Sequence, residues 1–269
     1  MATILAIDAA WTQHEPSGVA LVSKHNGLWR CVAVAPSYAS FIALSENTAV
    51  DWQATRFAGN IPQPTFLLSA SQLIAKVNDV DLVTVDMPVA TAPIQQRRRA
   101  DNEISRQFGG VGCSAHSPTP MRPGVIGHEL SSAFLRLGYQ VAGSDVPPGT
   151  PRRLVEVYPH PALLTLLQQN YRVPYKVAKT TKYWRGASTQ ERRERVLAVL
   201  NQVYDALANV FGPLGFELPG QPVSFSELKR YEDVLDALVC AWVGTQYIDR
   251  QAFPLGDEEA AIWCPLGGA

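Results

Sequence analysis

The sequence has little charge and no long apolar run. Lys, Arg, Asp and Glu make up 17% of the 269 residues, and the formal net charge is -1. This near-neutral balance argues against strong non-specific binding to nucleic acid or to a membrane surface, although it is compatible with a local basic groove. No apolar stretch reaches the length of a membrane span, so we expect no membrane partner.

Cysteine is also scarce, and its placement excludes two classes of site. The four cysteines are scattered and form no CxxC pair, which argues against a disulfide framework and against a cysteine zinc site; they are Cys31, Cys113, Cys240 and Cys264. The chain begins at once with strand-like sequence instead of a signal or transit peptide. We therefore expect a protein of a reducing compartment, the cytoplasm.

What the sequence does have is apolar content of 46%, enough to bury a large core within one domain spanning 1–269. Apolar runs predict three antiparallel strands over 3–8, about 18–23 and about 29–35, joined by turns at 16–18 and 25–27. A fourth strand is predicted over 81–86, where Pro88 soon follows.

The rest of the chain predicts helices, one further strand and a long excursion. Residues 89–151 contain a glycine- and proline-rich stretch and read as an insertion or lid. A capping box at 188–191 opens a long helix that ends at 212–213. The other predictions are loop over 45–64, helix over 66–77, helix over about 124–137, strand over 153–158, helix over 161–167, basic loop over 176–185, helix over about 226–250, and a tail from 253 that is loop with a short strand around 261–263.

Two of the predicted buried strands end in aspartate, at Asp8 and at Asp86. If both strands are central and parallel, the two carboxylates meet at the edge of the sheet where α/β folds bind ligands. A buried carboxylate is costly unless it is paired or binds a cation. The alternative for Asp8 is that it caps the following turn.

The last predicted helix carries a second pair of acids, Asp233 and Asp236, three residues apart and hence on one face. Small residues continue that face, which suits close packing on a sheet, whereas Glu232 and Arg230 are expected to point elsewhere. Two like charges on a packed face call for a counter-cation. The alternative is an acidic first turn stabilised by the helix dipole.

Carboxylate oxygens without histidine or cysteine suit Mg²⁺ or Mn²⁺ better than zinc. Asp8, Asp86, Asp233 and Asp236 could hold two ions bridged by a phosphate, one ion activating water and the other stabilising the leaving oxygen. That chemistry is the hydrolysis of a phosphodiester, with a nucleic acid or nucleotide as substrate.

Five motifs resemble a bacterial and archaeal family of unknown function described as predicted nucleases with a ribonuclease H-like fold. They are Ile-Asp-Ala-Ala-Trp at 7–11, Val-Asp-Met-Pro at 85–88, Arg-Arg-x-x-Asp at 98–101, Glu-Val-Tyr-Pro-His-Pro at 156–161 and Glu-Asp-x-x-Asp-Ala-Leu-x-Cys-Ala at 232–241. The resemblance implies an α/β fold with a five-stranded mixed sheet, three antiparallel strands first, flanked by helices. Within that superfamily the layout is similar to that of the Holliday-junction resolvases. There, the acid on the fourth strand is Glu, and here it is the shorter Asp86.

Two further candidate site residues each have two possible roles. Glu156 is either another ligand or a buried acid paired with an arginine such as Arg98 or Arg153. His160 is either a general base or a residue that fixes its loop.

Basic residues are candidates for binding phosphate. Arg97, Arg98 and Arg99 suit phosphate contacts, or else Arg98 and Asp101 form a local ion pair. The 176–185 loop, with Lys176 and Lys182 among aromatic residues, has the composition of a surface for single strands, and also of many mobile loops.

Two other functions remain open at this point. The first is a phosphotransferase or ATPase of the actin and sugar-kinase superfamily, whose chains also begin with an apolar strand, Asp and a hairpin. This chain shows no internal repeat of the kind that such enzymes carry. The second is a non-catalytic binding module that keeps the acidic site as a relic.

Overall fold

The computed structural model describes residues 2–59 and 63–267, which form one mixed β-sheet flanked by helices on both faces. The strands are β1 (Ala2–Asp8), β2 (Gly18–His25), β3 (Leu28–Ala35), β4 (Leu82–Val85), β5 (Gln140–Val141), β6 (Arg153–Val157), β7 (Ala252–Gly256) and β8 (Ala261–Pro265). The helices are α1 (Tyr38–Leu44), α2 (Pro64–Ala75), α3 (Arg99–Phe108), α4 (Val125–Arg136), α5 (Pro159–Leu166), α6 (Thr180–Tyr183), α7 (Thr189–Phe211) and α8 (Phe225–Ile248), with a 3-10 turn at Val177–Lys179.

The sheet has the order β3-β2-β1-β4-β6-β8-β7, and β5 pairs with β6. The first three strands are antiparallel, while β4 lies parallel to β1, and β6 parallel to β4. The predicted α/β class, the mixed sheet and the three leading antiparallel strands are therefore confirmed. Because β1, β4 and β6 are central and parallel, their carboxyl ends meet at one edge.

The prediction of five strands is wrong, since the described residues form eight. The added strands are the two-residue β5 and the hairpin of β7 and β8. We expected loop from 253, but Pro254 lies within β7, at the end of the strand order, where proline's missing N–H leaves no ladder bond unmade. The second strand of the hairpin extends the predicted 261–263 segment to Pro265.

Two hydrophobic cores lie on opposite faces of the sheet. Successive side chains of β1 alternate between them: Ile4 and Ala6 belong to the core that includes α7 and α8, and Leu5 and Ile7 to the core that includes α2 and α4. This alternation is what a continuous apolar strand buried on both faces requires. No helix in the described part of the chain is long and apolar enough to cross a membrane.

Helix α8 lies directly against the sheet, contacting β1, β2 and β4. A Cβ atom on Gly18 would lie 2.1 Å from the carbonyl oxygen of Asp233, and one on Gly244 would lie 2.8 Å from Thr84 Cγ2. Glycines at these two contacts therefore allow the close approach of helix and sheet. This packing sets how far the acids of α8 lie from those of the strands.

The segment 89–151 runs from β4 to β6 and carries α3, α4 and β5. Within this segment, β5 pairs in parallel with the first two residues of β6, and α3 contacts β7 and β8. The predicted helix over about 124–137 corresponds to α4, which is followed by Gly138 with a positive φ of 88°.

Candidate functional site

A cleft of about 840 Å³ opens where β1 and β4 end, and the carboxylates of Asp8, Asp86 and Asp233 line it. The backbone N–H of Asp86 donates a hydrogen bond of 2.9 Å to the carbonyl of Ile7, so the two strand ends are joined directly at the acids. The carboxyl ends of parallel strands thus meet here, as the sequence predicts.

Helix α8 supplies the remaining acids. Asp233 reaches the cleft, whereas Asp236 and Glu232 are buried beneath it. From Arg230 through Thr245 every residue of α8 is buried. The expectation that Glu232 and Arg230 point away from the packed side is therefore wrong, because this part of the helix has no solvent face.

Two lysines pair with these acids. Lys229 forms ion pairs with Asp233 and, at 3.2 Å, with Glu232 Oε1. Lys176 forms ion pairs with Asp236 and, at 3.4 Å, with Glu232 Oε1.

Neutral groups also donate hydrogen bonds to the two deeper acids, Asp236 and Glu232. The hydroxyl of Tyr175 donates a hydrogen bond of 2.6 Å to Asp236 Oδ1. The backbone N–H of Val177 donates one of 2.5 Å to Glu232 Oε2. Asp236 and Glu232 are therefore the best satisfied members of the cluster.

Acid remains in excess of base at this site, with five carboxylates to two ammonium groups. Burial, then repulsion from Asp236 and Asp233, raises the pKa of Asp8 well above its ordinary value. Burial likewise raises the pKa of Asp86 to about 7 and that of Asp233 to about 6, against the lowering effect of the nearby lysines. An added positive charge in the cleft would therefore stabilise the ionised forms of these acids.

The side-chain arrangement itself is not that of a ready metal centre. In the described residues, no group of three or more His, Cys, Asp or Glu side chains is arranged to hold a metal ion. The ammonium groups of Lys176 and Lys229 occupy positions beside the carboxylates where a cation would bind.

Glu156 lies outside the cleft lining, in an ion pair with Arg98 at 2.6 Å. Arg98 also pairs with Asp101 at 2.8 Å. Glu156 is therefore a buried acid paired with an arginine, and Arg98 also forms the local ion pair with Asp101. Strand β6, α3 and the preceding loop are tied together by these contacts.

The neighbouring arginines also have protein partners. Arg97 donates hydrogen bonds to Asn102, Ser105 and Ser117, among others, and Arg99 pairs with Glu103 on the helix surface at 2.8 Å. Neither lines the cleft.

His160 and Lys182 lie apart from the acids. His160 is buried and pairs with Arg172, and its pKa is lowered by burial and then by the charges of Lys176 and Arg172. Lys182 is exposed and does not line the cleft. Of the basic residues singled out from the sequence, Lys176 is the one that contacts the acidic cluster.

Sequence reasoning missed Lys229 and Tyr175, and misjudged Glu232. Lys229 precedes Asp233 by four residues and Asp236 by seven, which places all three on one helix face. That spacing could have predicted its pairing. No local signal indicates Tyr175, because it approaches α8 from a distant segment.

Comparison with known proteins gives one match. The model of a family described as a protein of unknown function, DUF429, matches residues 7–260, and the chain therefore belongs to this family. No curated protein and no solved structure shows a significant match.

Proposed function

We propose that this DUF429 protein is a divalent-cation-dependent phosphodiester hydrolase of ribonuclease H-like fold, acting on a nucleic acid or nucleotide. One observation carries the proposal: Asp8, Asp86 and Asp233 line a single cleft at the carboxyl ends of two parallel strands. The cluster to which they belong has five carboxyl groups and two ammonium groups, and a bound cation would stabilise the ionised forms of the three acids.

The strand arrangement supports the proposed fold. Three antiparallel strands come first, and β4 and β6 then add in parallel, as the resemblance to ribonuclease H-like proteins implies. The strands β5, β7 and β8 are additions to that arrangement. Fold alone does not fix activity, so the proposal depends on the cleft.

The donor set fits a hard cation in chemistry and in charge. All the candidate ligands are carboxylate oxygens, which Mg²⁺ and Mn²⁺ prefer. Asp8, Asp86 and Asp233 would hold the cation, since Asp236 and Glu232 are already satisfied by Tyr175 and by Val177. Bound there, the cation would lower the pKa of an attacking water and stabilise the charge on the leaving oxygen.

The lysines have a defined part in this proposal. The side chain of Lys229 is 43% exposed, so its ammonium group can leave Asp233 for the cleft when a cation arrives. The side chain of Lys176 is only 20% exposed, so it would stay with Asp236 and hold that carboxylate in place. Together they keep the cluster assembled before a cation binds.

A second candidate, a non-catalytic binding module, is favoured by the same pairing. The lysines already neutralise part of the acidic cluster, and in the described part of the chain no metal-binding group is formed. In that case the ion pairs are permanent, and those of Lys176 fasten the loop before the 3-10 turn to α8.

Cleavage assays with Mn²⁺ or Mg²⁺ on labelled single- and double-stranded DNA and RNA separate the two. We expect cation-dependent cleavage by the wild type and by the control Asp205→Asn, whose side chain is exposed on α7. Asp8→Asn and Asp233→Asn should lose it while retaining a cooperative unfolding transition.

The absence of cleavage, together with an unfolding temperature that Mn²⁺ leaves unchanged, would favour the binding module. Tight ATP binding by calorimetry without cleavage would instead favour the phosphotransferase class.

A further inference from the structure

Basic side chains from two other parts of the chain also line the cleft. They are His116 and Arg122, from the segment before α4, and Arg192, from the start of α7. We call His116, Arg122 and Arg192 the basic wall.

The cations of the basic wall differ from the two lysines of the acidic cluster. Across residues 2–59 and 63–267, no carboxylate oxygen lies within 4.0 Å of the guanidinium of Arg122 or Arg192. Arginine and lysine left without acidic partners along a cleft attract anions.

Two of these cations are held in position without being neutralised. The guanidinium of Arg122 lies over the ring of Trp11, 5.6 Å from its centre, and Trp11 follows closely after Asp8. Arg192 donates a hydrogen bond to the hydroxyl of Thr181 and lies 6.0 Å from the ring centre of Phe225. Contacts with rings and hydroxyls orient a cation and leave its charge free for a ligand.

The titration of neighbouring groups agrees with a positive potential at this wall. Burial, and then the charges of Lys179, Arg122 and Arg172, lower the pKa of His116. Burial and the nearby cations also lower the pKa of Lys179 to about 8. The cleft therefore combines acids at the strand ends with the arginines of the basic wall.

We propose that the basic wall is a phosphate-binding subsite, which takes a phosphate other than the one placed over the acids and does so without a metal ion. Guanidinium and ammonium groups are the usual protein ligands of phosphate oxygens. The inference rests on the proposed function for the ligand being a phosphate ester, and it implies a ligand with at least two phosphates.

Binding in EDTA tests the subsite apart from catalysis. The probe is a fluorescein-labelled oligodeoxythymidine of about 12 nucleotides, followed by anisotropy as salt is raised from about 50 to about 200 mM. We expect the wild type to bind with a marked salt dependence. Arg122→Gln and Arg192→Gln should each weaken binding severalfold and reduce the slope of log K against log salt by about 0.7.

A matched control completes the test. Arg136→Gln removes an exposed arginine of α4 that does not line the cleft, and it should bind as the wild type does. Competition by ATP as effective as that by unlabelled oligonucleotide would identify a nucleotide ligand.

The result that overturns the subsite is wild-type affinity and slope in both basic-wall variants, or no binding of the oligonucleotide, ATP or inorganic pyrophosphate in EDTA. If the basic-wall variants bind as the wild type does and the protein still cleaves its substrate, the subsite is wrong and the proposed hydrolase is not affected. Binding at the wall without cleavage would support the subsite and overturn the proposed hydrolase.

Discussion

Arg98 and Glu156 form a bidentate ion pair, with Nη1–Oε2 and Nη2–Oε1 distances of 2.6 and 2.7 Å. Their side chains are only 8% and 4% exposed. The carboxylate also accepts a hydrogen bond of 2.8 Å from the backbone N–H of Val89. This pair fastens the start of α3 to β6, and it leaves Glu156 committed to structure beside the acidic cleft.

We expect Arg98→Met to lower the free energy of unfolding by about 3–5 kcal/mol, because it leaves buried acids without their counter-charge. Glu156→Met added to it should recover part of the loss, since the double variant removes one of those acids. Urea unfolding measures both. Arg99→Met, which removes an exposed arginine from its pair with Glu103, should cost less than about 1 kcal/mol. An equally small cost for Arg98→Met would contradict the structural role given to the pair.

Asp86 predicts a specific pH dependence of stability in EDTA. Burial raises its pKa from 3.8 to about 7, against the lowering effect of Lys176 and Lys229 and with the repulsion of Asp236 and Glu156. Between these two pH values the folded protein keeps Asp86 protonated, whereas the unfolded chain does not. The stabilisation that the protonated carboxyl provides is therefore complete below pH 3.8 and is lost as the pH rises to about 7.

We expect Asp86→Asn to flatten that decline and to be more stable than the wild type above the raised pKa of about 7. Urea unfolding across the window measures the effect, with the exposed Asp205→Asn as the control. Equal slopes in the wild type and Asp86→Asn would show that Asp86 is not desolvated in the folded protein.

Lys229 should compete with a divalent cation for the acids of α8. Lys229→Met removes the partner of Asp233 and of Glu232, so we expect a lower unfolding temperature in EDTA. Because the substitution leaves Asp233 without its lysine partner, Mn²⁺ should raise the unfolding temperature of this variant more than that of the wild type. Lys24→Met, which removes a partly exposed pair with Asp249, serves as the control. A smaller Mn²⁺ effect in Lys229→Met would show that the lysine does not occupy the cation's place.

Local patterns predicted much of the fold, because the signals lay within the elements themselves. The apolar runs of β1 to β4 and the capping box at Ser188 each specify structure over a few residues. Strand β7 was not predicted, because a proline favours loop over strand. Only the position of β7 at the end of the strand order explains why its proline is tolerated.

The acids of the site were predictable in part. Asp8 and Asp86 end apolar strands, and Asp233 and Asp236 share a helix face, so their meeting follows from the parallel sheet. The sequence did not predict the pairing of Asp236 with Lys176, because α6 and α7 separate the loop that carries the lysine from α8 in sequence. Its position depends on tertiary packing that no local pattern encodes.

The two sides of the acidic cleft come from opposite ends of the chain: Asp8 from the first strand and Asp233 from the last helix. During synthesis on the ribosome, β1 and β4 emerge long before α8 can dock on them through Gly18 and Gly244. A nascent chain therefore exposes two of the cleft's carboxylates without the third. Whatever chemistry the cleft performs begins only when the final helix has left the ribosomal tunnel and closed onto the sheet.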